Sequence, residues 1–479
     1  MTLGGLSRSD RDHDHDHDAI ARFLDEHAPQ IIERLSEWVR IPSVAADPER
    51  QVEVARSANW LAAEMREIGI AASVVKTGDA MAVLGEMRAA DPGAPTVLVY
   101  SHHDVRHAKA EQWQQTEPFT PIVRGGRLYG RGASDAKGQV MAHLWGVRAH
   151  LAAIGADRPA VNVKFLVEGE EEIASPNLAA LLDDHAADLA CDAIVFSDTL
   201  QWRVDAPAPV TSMRGIVNAS LTVTGPEQDV HSGLASGATL NPALALAQVL
   251  GRLYDSSGRL RIAGFYDDVT PLTEQRRREF DALPYDDADW LERSRTRVIV
   301  GEEGYTVKER LWARPSIEVI SLIAGDPTGI ERSVIPAEAS ATLSIRMAPG
   351  QRLDVVAEQL QAFVATEMPA EAEYELEVQV PQGQEPAGTP EGPLLDALER
   401  ALAHGHGMPV RGRMGNAGGG PAVLLSERFQ APVLFIGTGL PEDSWHADDE
   451  SVDLRMLRNG AASIAHLWHE IGKLSAGGS

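Results

Sequence analysis

Apolar positions along this chain follow two periods, one helical and one of unbroken short runs. From Ala19, a stripe through Ile20, Phe23, Leu24, Ile31, Ile32, Leu35, Trp38 and Val39 predicts a helix that Ile41-Pro42 ends. A second helix is predicted over 54–68, closed by Gly69, with strands around 72–75 and 82–85 after it. Then Val97, Leu98, Val99 and Tyr100 form a run that stops abruptly at Ser101-His102-His103-Asp104. Such a run reads as a parallel strand buried on both faces, and its carboxyl end is where open α/β sheets place their sites. Three later runs end alike: 161–167 meets Glu168-Gly-Glu-Glu-Glu172, 193–196 meets Ser197-Asp198, and 433–436 leads through Gly437 and Gly439 to Trp445-His446.

Between 210 and 381 the pattern changes. Strand alternation over 215–224, 317–323, 339–347 and 374–380, with helices over 242–253 and 353–367, gives the order β-α-β-β-α-β of a ferredoxin-like unit. A charged helical stretch over 255–313 interrupts it. The expected fold is therefore α/β, a doubly wound mixed sheet over 19–210 and 384–474, with an α+β domain inserted over 211–383. Residues 1–18, which alternate Asp and His over 12–18, read as a disordered tail, and 475–479 as another.

A chain of 479 residues has material for two domains. Its formal charge of −27 argues against nucleic-acid and acidic-membrane partners. No stretch approaches the ~20 apolar residues of a membrane span. One cysteine, Cys191, and the lack of a basic-then-apolar start together suggest a cytoplasmic location.

The strand ends carry the chemistry. In His102-x-Asp104 the imidazole is a ligand type and the carboxylate is placed to orient it. Asp135 sits where a helix N-cap is expected, and a carboxylate there has an oxygen to spare for a second partner. Assembled, His102, Asp135, Glu172, Asp198 and His446 offer each of two ions one imidazole and one carboxylate, with a further carboxylate shared. That donor set suits zinc first, then manganese or cobalt. Two ions about 3.5–4 Å apart polarise a carbonyl and generate hydroxide near neutral pH, and an unligated carboxylate can move the proton.

These residues resemble the carnosinase-type metallopeptidases, which include carboxypeptidase G, acetylornithine deacetylase and succinyl-diaminopimelate desuccinylase, and the dipeptidase branch most of all. The resemblance extends from about Ala19 to Leu474. It implies that His102, Asp135, Glu172, Asp198 and His446 hold two metals, with Asp104 orienting His102. It further implies that Glu171 is the catalytic base, a choice over Glu170 that rests on spacing to Ser175. In the inserted lid and dimerisation domain, Asp229-Val-His231-Ser-Gly resembles the motif whose histidine stabilises the oxyanion. Ser344-Ile-Arg346-Met-Ala-Pro resembles the strand whose arginine grips a substrate carboxylate. Near Gly418 and Gly419 the dipeptidases carry a Gly-Gly-Ser-type loop. This chain has glycine where the serine is expected, so backbone amides remain to bind substrate and a hydroxyl contact is lost. The implied activity is hydrolysis of a dipeptide by a homodimer, with an N-acyl- or N-carbamoyl-amino-acid amidohydrolase as the alternative activity and a monomer whose strand edges are covered by 255–313 as the alternative assembly. A catalytically silent binding module is disfavoured by the intact ligand set and base.

Overall fold

A computed structural model describes residues 8–326 and 328–476. Its largest element is a nine-stranded mixed sheet. From one edge the strands are Ala71–Thr77, Ala80–Met87, Asn162–Glu168, Thr96–His102, Ala193–Phe196, Val433–Phe435, Val210–Met213 and Ala387–Gly388, with Met414–Asn416 beside Val210–Met213. The middle four are mutually parallel. Their carboxyl ends therefore share one sheet edge, and those ends are the four polar sequences singled out above.

The apolar runs are continuous because both faces are covered. Val97 and Val99 pack with Trp38, Trp145 and Trp468 from the helices Arg8–Val39, Lys137–Ile154 and Leu454–Ala476. Leu98 and Tyr100, on the opposite face, pack with Leu182, Leu425, Phe280 and Trp312. Alternation along one strand thus feeds two separate cores.

A second sheet of four antiparallel strands has the order Ser316–Ala324, Glu338–Met347, Gly215–Thr224, Glu373–Val378. Helices Pro242–Leu250 and Leu353–Glu367 contribute Leu246, Val249, Leu360 and Val364 to its own apolar core. Val230–His231 pairs with Val334–Ile335 as a separate two-stranded ribbon.

Four expectations need correction. The first helix starts at Arg8, so 12–18 are helical rather than a disordered tail; residues 1–7 lie outside the described residues. A helix already held by its packed later turns propagates at one hydrogen bond per added residue. The stretch 255–313 is not a long helix: it holds only Glu274–Asp281, Asp287–Arg293 and Val307–Ala313, split by Pro284, Gly301 and Gly304. The helix expected over 242–253 ends at Leu250, where Gly251 follows. Asp135 does not cap the helix after it. That helix begins at Lys137 with Ala136 in the N-cap position and no side-chain cap, leaving the carboxylate for other partners.

Candidate metal centre

His102 is the last residue of the strand Thr96–His102 and is fully buried. Its Nδ1 lies 3.4 Å from Asp104 Oδ1 and 3.1 Å from the Asp104 carbonyl, while Nε2 points to Asp135 Oδ1 at 3.2 Å and Asp198 Oδ1 at 3.8 Å. Asp104 has a second task. Its two oxygens accept the backbone N–H groups of Glu171 and Glu172 at 3.2 and 3.0 Å, joining the ends of neighbouring strands. Across the centre, His446 Nε2 lies 3.0 Å from Asp135 Oδ2 and 3.3 Å from Glu172 Oε2. Two ligand groups result, His102/Asp135/Asp198 and Asp135/Glu172/His446, with Asp135 common to both.

The loop that carries Asp135 is held by Glu450. This buried carboxylate accepts the N–H groups of Gly132, Ser134 and Asp135, each at 3.0 Å, and pairs with Arg131 Nη1 at 2.7 Å. Next to it Asp443 accepts Ser134 Oγ–H and the Leu440 N–H and pairs with Arg127. Burial pushes Asp443 up to about 7, against the pull of Arg127. Gly138 is required here, since a Cβ would stand 2.0 Å from the Ala133 carbonyl oxygen.

Whether the five residues fit cations can be judged from their unspent atoms. Asp135 Oδ2, Glu172 Oε2 and Asp198 Oδ1 are buried without a hydrogen bond, although a nitrogen lies within 4 Å of each. Buried oxygens without a hydrogen bond call for another partner, and these fall in the two ligand groups, Asp198 in one, Glu172 in the other and Asp135 in both. Burial raises the pKa values of Glu171, Glu172 and Asp198 above the usual carboxylate range, with the neighbouring carboxylates adding to it. Burial works against protonation of His446, yet Asp135 and Glu172 push it up to about 10. A site that draws in protons this strongly is short of positive charge, and the imidazole–carboxylate donors suit a divalent ion.

The centre opens into a cavity of about 450 Å³ between the two sheets. Glu171, Arg346, Gly418 and Gly419 line it together with Asp135, Glu172, Asp198 and His446. Glu170 is instead held by Asn177 Nδ2 at 3.0 Å. Arg346 forms no hydrogen bond or ion pair among the described residues, and burial lowers its pKa. At Gly418 a Cβ would find its nearest neighbour at 3.5 Å, whereas at Gly419 it would meet Ile216 Cγ2 at 2.5 Å. His231 is exposed on the two-stranded ribbon and is not among the cavity-lining residues.

Several cavity residues carry no local signal in the sequence. Gln379, Gln382 and Gln384 reach the cavity from the segment returning from the second sheet, and Asn218 from a strand of that sheet. Arg106, two residues beyond Asp104, places Nε 2.8 Å from Glu172 Oε2. Only its nearness to the His102 motif could have drawn attention to it.

A profile of peptidase family M20/M25/M40 matches residues 98–470. The chain is 28% identical over 473 residues to the Beta-Ala-His dipeptidase of Rattus norvegicus, covering 95% of this chain and 96% of the relative. It is also 28% identical over 472 residues to a Cys-Gly metallodipeptidase of Candida albicans, covering 94% and 96%. The crystal structure of human carnosine dipeptidase 1 superposes with a TM-score of 0.82 at 26% identity, covering 95% of this chain and 99% of that one.

Proposed function

The chain belongs to peptidase family M20/M25/M40, and from that premise we propose that it is a two-metal dipeptidase acting on short substrates with a free carboxylate. One observation carries the reading: Asp135, shared by two ligand groups, faces a single cavity together with Asp198, Glu172, His446, Glu171 and an unpaired Arg346. His102 and Asp198 would hold one ion and Glu172 and His446 the other, zinc being the best match to these donors. When bound, the ions would polarise the scissile carbonyl and make water acidic enough to attack it.

The remaining steps belong to the chain. Arg346 presents a fork of donors suited to a substrate α-carboxylate. The Gly418–Gly419 backbone offers close approach beside it. Glu171 takes the proton of the attacking water and returns it to the leaving amine, a task that fits a buried carboxylate with a raised pKa. Asp104 fixes both the His102 ring and the backbone that carries Glu171, so ligand and base keep their relative positions.

The four-stranded sheet is proposed as an inserted lid through which two copies pair, giving a homodimer. In support, its edge strand Ser316–Ala324 exposes Val319, Ile320, Leu322 and Ile323, and bare apolar edges invite pairing. His231 would then serve the partner's oxyanion, consistent with its absence from its own cavity lining. Mixing a His102→Ala chain with a His231→Ala chain tests this. Partial recovery of activity is expected, and none after demonstrated subunit exchange would sink it. No helix among the described residues is long and apolar enough to cross a membrane, and with its single cysteine the protein is read as cytoplasmic.

The substrate reading is tested by offering the metal-loaded protein dipeptides beside N-acetyl- and N-carbamoyl-amino acids. Dipeptides should be cleaved best, and amidating their C-terminus should raise KM sharply. Arg346→Ala should abolish that difference. Preference for the acylated amino acids would make the protein an amidohydrolase of the same site.

A further inference from the structure

Resting on the dipeptidase reading, we infer that the substrate carries a second anionic group besides the carboxylate assigned to Arg346, and that Arg106 recognises it. Arg106 lines the cavity with its side chain about half exposed. Among the described residues its only partner is Glu172, reached through Nε at 2.8 Å, so both Nη groups keep their hydrogens unspent. Its position is set by the fold rather than by a free loop. The Val105 N–H donates to the Ser43 carbonyl at 2.9 Å, and Ser43 Oγ–H donates to the His103 carbonyl at 2.7 Å.

Charge balance supplies the second argument. The carboxylates lining the cavity are Asp135, Glu171, Glu172 and Asp198, and each already has a role as ligand or base. Two divalent cations would balance all four, so that the lining of this cavity of about 450 Å³ would carry a net positive charge on Arg106 and Arg346, with Glu172 shared between an ion and Arg106 Nε. A substrate with one carboxylate satisfies one of these guanidiniums. A second carboxylate would give the unspent Nη hydrogens of Arg106 a charged acceptor, and charge-assisted bonds of that kind are the strong ones. The wall contributed by Gln379, Gln382 and Gln384 is polar and uncharged, so nothing there competes for the guanidinium. The class is therefore a short peptide with an acidic side chain on one of its two residues.

Arg106 could instead do no more than steady Glu172 as a ligand. That role would change the rate on every substrate alike, whereas recognition changes the preference between them. Isosteric pairs separate the two: Asp-Ala against Asn-Ala, and Ala-Asp against Ala-Asn, assayed on the metal-loaded protein. At one of the two positions Asp should exceed Asn in kcat/KM by about tenfold or more, the usual worth of a charge-assisted bond. Arg106→Ala should bring that ratio to near one, and Arg106→Lys should keep part of it. Calorimetry of the same four dipeptides on metal-loaded Glu171→Gln protein reads recognition without turnover and should show the same preference and the same loss. Equal treatment of Asp and Asn at both positions, or a preference that survives Arg106→Ala, overturns the inference while the dipeptidase reading stands. No cleavage of any dipeptide by the unaltered protein, with the Arg106-dependent binding preference intact, would defeat the activity and leave the recognition standing.

Discussion

His102 and His446 face the same aspartate from opposite sides of the centre, one from the last residue of a β-strand and the other from a loop. His102 is fully buried, and its second ring nitrogen is turned toward Asp104. The side chain of His446 is 52% exposed, its backbone sits at φ 61°, and its Nδ1 has no hydrogen-bond partner among the described residues. A non-glycine residue in that left-handed region is held there by its surroundings at a cost of order 1 kcal/mol or more. The His102 half is therefore shaped by the sheet before any ion arrives. The His446 half, with a half-exposed ring and Nδ1 unpartnered among the described residues, is expected to settle its ring only when something binds it. Preorganised ligands are expected to hold an ion more tightly than ligands that must be ordered on binding.

The largest effects should come from the two adjacent glutamates. Glu171→Gln should keep both ions and lose about 10²–10⁴-fold in kcat, because it removes only the proton carrier. Glu172→Gln should instead empty the His446 half and leave the His102 half filled, as read by metal analysis after gel filtration. The reverse pair of phenotypes would show base and ligand to be exchanged and would break the comparison. Next comes Asp104→Asn. Weakening the partner that orients a ligating imidazole typically lowers metal affinity about 10–100-fold. The loss should fall on the tighter of two sites in a chelator titration, bringing the two release steps together. Two steps left as far apart as before would mean that Asp104 does not create the difference.

The smallest effect separates acid loss of the His446 ligand from acid loss of the fold. His143 is buried against Phe165 and Trp468, with neither ring nitrogen hydrogen-bonded, and burial lowers its pKa to about 3. An unfolded imidazole titrates near ~6.5. Above that pH both states are neutral and His143 adds no pH dependence. As pH falls from there toward 3, the unfolded chain takes up a proton that the folded chain refuses, so stability declines by up to about 1.4 kcal/mol per pH unit. His143→Leu should flatten the fall in urea midpoint between pH 6 and 4.5 while leaving the pH at which metal is released unchanged. An unaltered slope would assign the acid sensitivity to other groups.

The sequence is legible where burial and chemistry meet on one strand. Leu98 and Val99 had to be buried on opposite faces, so the residues just beyond them had to emerge at a sheet edge. The same reasoning pointed to the acidic segment 168–172, to Asp198 and to His446, while the choice of Glu172 as ligand within its segment rested on the family resemblance. It failed where a side chain has two uses. Asp135 occupies a cap-like position, but His102 and His446 claim its oxygens, and Ala136 takes the N-cap place without a side-chain bond. It failed again where tertiary packing decides. Nothing local to Gln379, Gln382 or Gln384 announces a cavity wall. Glu450 looks like one more acid in an acidic run until the amides of Gly132, Ser134 and Asp135 are seen to converge on it. In the charged stretch 255–313, helix-forming residues are too often broken by proline and glycine for their period to extend.

Glu450 also sets an order of events in biosynthesis. Four of the five candidate ligands have left the ribosome once Asp198 has emerged, but the carboxylate that organises the Asp135 loop, like the fifth candidate His446, follows about 250 residues later. At ordinary elongation rates that gap lasts roughly 10–50 s. Throughout it the nascent chain carries a cluster of acidic side chains without the cradle that shapes them. A product truncated before His446 would lack both the last candidate ligand and the anchor of the shared one, so a chain cut short anywhere upstream is not expected to assemble the centre.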